Sequence, residues 1–167
     1  VYARLFPEKL VQAERAVFAA HPGFSTQSPD RRWTLVGQAN SPLSYQLFDT
    51  ANPEEKPVSF QLPATLLSLP PAGAAQKMEL VEWASDNRHV LLDHTYGDKH
   101  EFIMLDREDA AASLNINKHL ALNPTKVTLR DKKFEELYLY DAPTLLLSRA
   151  NTKTKLSTPL LENVTAY

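Results

Sequence analysis

The stretch "VEWASDNRHVLLDHTYGDKHEFIMLD", residues 81–106, predicts three short β-strands joined by two tight turns. The first turn contains "SDN" and the second contains "YGD", and Ser, Asp, Asn and Gly all favour turns. The segments between these turns are short and rich in apolar residues. This part of the chain therefore predicts an antiparallel meander.

The meander pattern also occurs upstream. "SPDRRWTLVG" at 28–37 aligns with "ASDNRHVLLD" at 84–93, because each has a small residue, an aspartate, two polar residues and then an apolar strand. Further along, "YQLFD" at 45–49 aligns with "FIMLD" at 102–106. The two alignments together predict a repeated unit.

Aspartates mark equivalent points in the repeat. Asp30 and Asp86 stand 56 residues apart, and Asp49 and Asp106 stand 57 apart. A third unit opens as "LRDKKFEELYLYD", continues after "DAP" as "TLLLSRA", and places Asp131 45 residues after Asp86. An aspartate that follows Ser or Ser-Pro accepts backbone N–H bonds across a tight turn. The predicted structural turn residues are Ser28, Asp30, Ser85, Asp86 and Asp131.

Three apolar runs, at 90–92, 137–140 and 145–147, are continuous rather than alternating. Strands of this kind are usually covered on both faces, as are the stacked blades of a β-propeller. The predicted fold class is all-β, with a possible short N-terminal helix. It comprises about three antiparallel meander blades of a β-propeller, which is incomplete because closed propellers take roughly four to eight blades.

The predicted domain organisation has an N-terminal segment at 1–23 and a propeller-like domain at 24–167. "FPEKLVQAERAVFAAHPG" fits a helix that ends before residue 17, although "AVFAA" also fits a short strand. A Pro-rich connection spans 50–76; in it "VSFQL" fits a short strand, and "ATLLSL" a strand or a helical turn. The terminal "NVTAY" resembles the opening of another unit. Since the chain starts at Val1, we expect it to be part of a longer protein.

Two segments carry a resemblance to a known repeat. "FSTQSPDRRWTLV" and "VEWASDNRHVLL" resemble the TolB-type β-propeller repeat, a relative of the WD repeat, in which an aromatic strand end leads to Ser-Pro-Asp-Gly and an apolar strand. Trp83, Ser85 and Asp86 give the clearest match, and the resemblance covers roughly residues 24–167. Arg31 and Asn87 stand where the repeat has glycine, and Asn tolerates a left-handed backbone better than Arg.

The same segments are similar to propeller segments of bacterial extracytoplasmic proteins that carry PEGA modules, although this chain has no PEGA signature. The resemblance implies an extracytoplasmic location. It also implies a fold that presents its loops to other proteins.

Composition excludes several function classes. The net charge of −2 gives no general attraction to nucleic acid. The absence of cysteine excludes disulfides, thiolate zinc sites and cysteine nucleophiles. No apolar run reaches the roughly 18 residues of a membrane-spanning helix. We therefore expect neither nucleic-acid binding nor membrane insertion by this segment.

The hairpin around "TYGD" contains the best candidate metal ligands. His94 and His100 flank this turn, with Asp93 and Asp98 beside them, so the two imidazoles could meet across an antiparallel pair and bind a metal. A polar hairpin tip in water is the favoured alternative, since no third ligand follows at fixed spacing. The sequence therefore predicts no metal site and no cofactor.

A second polar cluster comprises Asp131, Glu135 and Glu136. Paired carboxylates serve glycoside hydrolysis, but neighbours in sequence rarely adopt the opposed geometry that this reaction needs, so a solvated turn is favoured. The chain has no Gly-x-Ser-x-Gly motif, and its isolated glycines exclude a phosphate-binding glycine loop. We predict no catalytic residue.

The aromatic residues could form a glycan-stacking or partner-binding platform. Most lie within predicted strands, which favours core packing, and only Tyr96 is expected at the surface. The set comprises Trp33, Trp83, Tyr45, Tyr96, Phe102, Tyr138 and Tyr140. Asn163-Val164-Thr165 also matches a glycosylation acceptor.

The leading hypothesis is a non-enzymatic propeller segment that serves as a scaffold for protein–protein contact outside the cytoplasm. A small-ligand or glycan-binding propeller is a second possibility. A third is an accessory propeller of a hydrolase whose active site lies outside this chain. We expect a protein partner, and self-association if the propeller is incomplete.

Overall fold

A computed structural model describes residues 22–165, in which twelve strands form three four-stranded antiparallel sheets. Sheet 1 holds β1 (Pro22–Gln27), β2 (Trp33–Gln38), β3 (Ser41–Asp49) and β4 (Val58–Gln61). Sheet 2 holds β5 (Gln76–Trp83), β6 (His89–Tyr96), β7 (Lys99–Asp106) and β8 (Leu114–Asn115). Sheet 3 holds β9 (Lys126–Leu129), β10 (Glu136–Asp141), β11 (Leu146–Asn151) and β12 (Leu156–Leu161). Within each sheet, every strand pairs with the next one along the chain, which confirms the predicted fold of three meanders.

Short helical elements lie between the strands. A helix, α1 (Ile116–Leu120), joins sheet 2 to sheet 3, and 3₁₀ turns occur at Ala64–Leu66, Ala110–Ala112 and Arg130–Lys132. Within residues 22–165, no helix has the length and apolar character needed to cross a bilayer. In the Pro-rich connection, "VSFQL" forms β4, and "ATLLSL" forms a helical turn rather than a strand.

Two predicted elements lie wholly or partly outside the described residues. The N-terminal helix or strand falls within residues 1–21, and the proposed opening strand "NVTAY" extends past residue 165. Of that last segment, Val164 donates its N–H to the Leu145 carbonyl at 2.9 Å, which holds it against sheet 3. The domain boundaries remain a prediction.

The strand registers make the three sheets copies of one unit. The first residue pair of the second and third strands is Trp33 with Asp49 in sheet 1 and His89 with Asp106 in sheet 2. In sheet 3 the same pair is Glu136 with Asn151. The repeat predicted from the aspartate spacing is therefore the repeat of the fold.

The sheets stack side by side through their first strands, since β1 lies against β5 and β5 lies against β9. One apolar core fills the space between sheets 1 and 2, and a second core fills the space between sheets 2 and 3. We call the side of each sheet that faces the next sheet along the chain its forward face, and the opposite side its rear face. This arrangement is that of neighbouring propeller blades.

Sheet 2 is covered on both faces. Val90 and Leu92 pack on sheet 1 and Leu91 packs on sheet 3, and all three side chains are fully buried. Alternating side chains thus enter two different cores, which accounts for the continuous apolar run at 90–92.

The equivalent expectation for sheet 3 is confirmed for Tyr140, which is buried, and is wrong for Tyr138 and for the run at 145–147. Leu137 and Leu139 pack on sheet 2, but Tyr138 on the forward face is only partly buried. The run at 145–147 is also partly exposed, and its first residue lies in a turn with a positive φ of 54°. Within the described residues, no further sheet covers the forward face of sheet 3.

Candidate functional site

The predicted turn residues lie at one end of the sheets, which we call the turn end. There the Asp30 carboxylate accepts hydrogen bonds from the Ser28 hydroxyl (2.5 Å) and the Arg32 N–H (3.0 Å). The Ser28 bond is the main reason that the pKa of Asp30 lies below its ordinary value. Arg31 occupies the left-handed region with φ 61°, at the position where the TolB-type repeat has glycine.

Asp86 forms the equivalent turn in sheet 2. One carboxylate oxygen accepts the N–H groups of Arg88 (2.9 Å) and His89 (3.0 Å), and the other lies 2.6 Å from the His89 Nδ1. Ser85 instead donates its N–H to the Lys132 carbonyl at 2.8 Å. Ser85 therefore joins two sheets rather than supporting Asp86.

Asp131 lies in the third turn but makes different contacts. Its backbone has a positive φ of 53°, and its side chain is 67% exposed beside the Arg130 Nε at 3.6 Å. Asp30 and Asp86 accept N–H bonds from the backbone of their own turns, whereas no such bond reaches the Asp131 carboxylate among the described residues. The third turn thus keeps the position of the aspartate and loses its bonding pattern.

Hydrogen bonds connect these turns from sheet to sheet. The Asp30 N–H donates to the Asn87 Oδ1 at 2.9 Å, and Arg107 donates to the Asn87 carbonyl at 2.5 Å while lying over the Trp33 ring. Glu82 accepts the Leu129 N–H at 2.5 Å and forms an ion pair with Lys132. These groups hold the sheets together.

The acidic cluster at 131–136 does not form a pair of opposed carboxylates. Glu136 accepts hydrogen bonds from Asn151 Nδ2 (3.0 Å) and Arg130 Nη1 (3.2 Å), and chiefly the Asn151 bond lowers its pKa. This carboxylate is engaged in holding β10 to its neighbours, which favours a structural role.

The opposite end, which we call the hairpin end, contains an open cavity of about 810 Å³ between sheets 2 and 3. Three segments line it: the β6–β7 hairpin, the connection after α1, and the β10–β11 turn. Its polar lining includes Asp98, Lys99, His100, Asn117 and Asp141.

His100 is held in place by contacts on its ring and on its backbone. Its Nδ1 lies 2.9 Å from a carboxylate oxygen of Asp93, and its ring stacks on Phe102 at 6.1 Å. Asn117 also donates a hydrogen bond to the His100 carbonyl at 3.0 Å. Burial raises the pKa of Asp93, while the bond to His100 opposes that rise. In a neutral imidazole that donates Nδ1–H to a carboxylate, Nε2 is a hydrogen-bond acceptor.

His94 lies on the other face of the same sheet. The register pairs His94 with Glu101 and His100 with Thr95, so the two imidazoles point in opposite directions. His94 is fully buried, with Nε2 3.1 Å from Gln76 Oε1. The geometry therefore contradicts a metal site shared by His94 and His100. No group of three or more potential ligands occurs within residues 22–165.

Glu101 connects sheet 2 to the Pro-rich connection. It accepts hydrogen bonds from the Ser68 hydroxyl (2.5 Å), the Ser68 N–H (2.9 Å) and Asn115 Nδ2 (3.1 Å). Burial alone would raise the pKa of Glu101, but these bonds outweigh it and lower the pKa. Sequence reasoning missed this group, because Ser68 lies 33 residues from Glu101 and no local motif signals the contact.

The aromatic residues are mostly part of the core, as expected for Trp83, Tyr45 and Phe102. Trp83 also donates its indole N–H to the Thr26 hydroxyl at 3.0 Å, across sheets 1 and 2. The expectation for Tyr96 is wrong: its side chain is 8% exposed and packs against the His94 ring at 5.2 Å. Tyr96 ends β6 on the inward side, so the following turn does not expose it. Glycosylation at Asn163 remains a prediction.

The forward face of sheet 3 exposes several apolar side chains, although Tyr140 on this face is buried. Leu156 and Leu161 on β12 are 67% and 59% exposed, beside the partly exposed Tyr138 and Leu147. In sheet 2 the positions of Tyr138 and Leu147 are held by Leu91 and Phe102, which are buried.

Comparisons with known proteins give one remote likeness. No family model and no curated protein matches the chain. A structure search finds the Pseudomonas aeruginosa periplasmic gluconolactonase PpgL, at 12% identity and a TM-score of 0.45. The match covers 84% of this chain and 39% of that protein. At these values the likeness assigns neither a reaction nor a substrate.

Proposed function

We propose that this chain is a non-enzymatic β-propeller segment that acts as a scaffold for protein–protein contact. The exposed forward face of sheet 3 is the observation that carries this proposal. The same face of sheets 1 and 2 is buried against a neighbouring sheet, so this surface is shaped to pack against another layer.

The energetic basis is apolar burial. Leu156 and Leu161 together leave a large apolar area in water, and covering such area stabilises a complex by about 25 cal/mol per Å². Extended apolar patches on soluble proteins typically mark interaction sites. The charged groups at the turn end are engaged with turns and neighbouring sheets, which favours a structural role for them over catalysis.

A dye-binding experiment tests this surface. We expect the chain to bind 8-anilinonaphthalene-1-sulfonate, and the double variant Leu156→Ser/Leu161→Ser to lose most of the fluorescence gain while keeping its melting temperature. The matched control Val58→Ser/Leu69→Ser removes two exposed apolar side chains elsewhere and should keep the signal. Equal signals from the two double variants would contradict the proposal.

A second candidate function, favoured by the cavity at the hairpin end, is binding of a small polar ligand or glycan. The cavity volume of about 810 Å³ is within the range of ligand sites, and His100, whose ring is held by Asp93, is part of its lining. A glycan array probed with the chain and with His100→Gln tests this function. The variant should lose the hits, whereas an array without hits would count against glycan binding.

We also propose an extracytoplasmic location, which is supported by the resemblance of "FSTQSPDRRWTLV" and "VEWASDNRHVLL" to the TolB-type repeat. Fractionation of cells that express the full-length protein checks this location. A role beside a hydrolase domain is tested by comparing hydrolase activity of the full-length protein with that of this segment.

A further inference from the structure

We propose that the forward face of sheet 3 selects protein partners that place a carboxylate, surrounded by apolar side chains, opposite Arg149. This inference rests on the proposed scaffold function and specifies the chemistry of the partner. It follows from a difference in residue type between sheet 3 and the other two sheets at one position of the repeat.

Arg149 occupies the position at which the other sheets place an apolar core residue. Leu47 pairs with Leu35 in sheet 1, and Met104 pairs with Leu91 in sheet 2, two residues after the first strand pair. The equivalent pair in sheet 3 is Arg149 with Tyr138. Leu47 and Met104 are buried in their cores, whereas Arg149 is exposed.

The cation at this point has an incomplete set of partners. Among the described residues, none of the hydrogen bonds or ion pairs within 4.0 Å engages the Arg149 guanidinium. Glu136 lies on the same face and attracts Arg149 electrostatically, but its oxygens accept from Arg130 and Asn151, so the two arginines share one carboxylate. A shallow depression of about 260 Å³, lined by Arg130, Glu136, Arg149 and Leu156, therefore has two guanidinium groups and one carboxylate.

The surroundings make a carboxylate a better occupant than a purely apolar side chain. A partner that covers Tyr138, Leu147 and Leu156 removes water from Arg149, and desolvating two guanidinium groups that share one carboxylate is costly. A partner carboxylate satisfies the guanidinium through paired hydrogen bonds. Tyr and Arg at the centre of a covered patch are also the residues that most often dominate binding energy.

The face of the sheet, rather than its open edge, is the binding surface. β12 is the edge strand, and it contains Pro159 in register with Ser148. A proline in an edge strand lacks a donor N–H, and it discourages the addition of another strand. The partner is therefore a protein layer that packs on the forward face, in continuity with the packing of sheets 1, 2 and 3.

The test uses three small probes of one shape: 3-phenylpropionate, 3-phenylpropanol and 3-phenylpropylamine. We expect the carboxylate to shift the backbone amide resonances of β10–β12 and to bind about tenfold more tightly than the alcohol, which corresponds to about 1.4 kcal/mol. The amine should bind least.

Two variants isolate the charge. Arg149→Met restores the residue type found at Met104 and should bind the acid and the alcohol equally, whereas Arg149→Lys should keep part of the preference. Arg31→Met removes an exposed guanidinium at the turn end and should leave all affinities unchanged.

The outcomes separate this inference from the proposed function. Binding of all three probes to β10–β12 with equal affinity would overturn the selection for a carboxylate and leave the scaffold surface intact. An absence of shifts in β10–β12 with every probe would overturn the selection and also count against the scaffold function.

Discussion

Sheets 2 and 3 are built from equivalent residue positions, yet one is enclosed and the other is half open. Leu91 in sheet 2 is fully buried, while Tyr138 at the same position in sheet 3 is partly exposed. The position of Met104 in sheet 2 is occupied by Arg149 in sheet 3. The residue types at these positions therefore differ between a sheet whose forward face is covered within the described chain and one whose forward face is not.

The largest expected effect comes from truncating this pair of equivalent positions. Leu91→Ala should lower the free energy of unfolding by about 2 to 5 kcal/mol, because it leaves a cavity between two sheets. Tyr138→Ala should cost about 1 to 2 kcal/mol, because its side chain is only partly buried. Urea denaturation measures both values, and equal losses would break the comparison.

The next effect concerns an Arg–Asp ion pair that occurs at equivalent positions of sheets 1 and 2 and is more deeply buried in sheet 2. Arg88 forms two hydrogen bonds with Asp106 (2.8 and 2.5 Å), whose side chain is 2% exposed. Arg88→Ala should cost about 1 to 3 kcal/mol, because it leaves a buried carboxylate without its cation. Arg32→Ala removes the equivalent pair with Asp49 and should cost about 1 kcal/mol or less, because Arg32 is 53% exposed.

The ranking of these two variants in thermal or urea unfolding checks the comparison. If Arg32→Ala costs as much as Arg88→Ala, the deeper burial of the Arg88–Asp106 pair does not control its strength.

Acid stability should depend on Asp106. Burial would raise its pKa, but hydrogen bonds from Arg88, Glu108 and Asp109 outweigh burial and lower the pKa below 3.8. The Asp106 carboxyl therefore binds its proton more tightly in the unfolded chain than in the folded protein. Its contribution to the free energy of unfolding is complete above the unfolded pKa of 3.8 and is lost as the pH falls through the lower pKa of the folded protein. We expect Asp106→Asn to be less stable at pH 7 and to lose less further stability on acidification. The free energy of unfolding of both proteins should be measured between pH 2 and 5. An equal loss on acidification in the two proteins would contradict this expectation.

The smallest expected effect concerns the two turns that depart from glycine. Arg31→Gly should stabilise the chain by up to about 1 kcal/mol, because it relieves a left-handed arginine. Asn87→Gly should not stabilise it, because the change also removes the acceptor of the Asp30 N–H. Melting temperatures of the two variants check this difference, and an equal gain from both would show that the Asn87 contact is unimportant.

Much of the fold could be predicted from the sequence, because each repeat is marked by residues that are close together in the chain. The spacing of Asp30, Asp86 and Asp131 located the first turn of each sheet, and the run at 90–92 indicated a strand covered on both faces. The run at 137–140 gave the same indication, which is wrong for Tyr138, since an apolar residue such as Tyr138 fits a half-open face equally well.

The candidate sites were harder to predict because they depend on distant contacts. Glu101 is held by Ser68 from the previous connection, and the cavity joins segments from two sheets. The sequence also placed His94 and His100 near one turn, but only the strand register shows that they face opposite sides. Arg149 could be recognised as unusual only after the sheets had been aligned by their registers.

Native-state hydrogen exchange tests most directly whether the sheets are layers of one repeat that protect each other. We predict that the amides of β6 exchange only through global unfolding, so their exchange free energy equals the free energy of unfolding, whereas those of β12 exchange through local opening at a much lower free energy. Protection of β12 equal to that of β6, or local exchange in β6, would contradict the account.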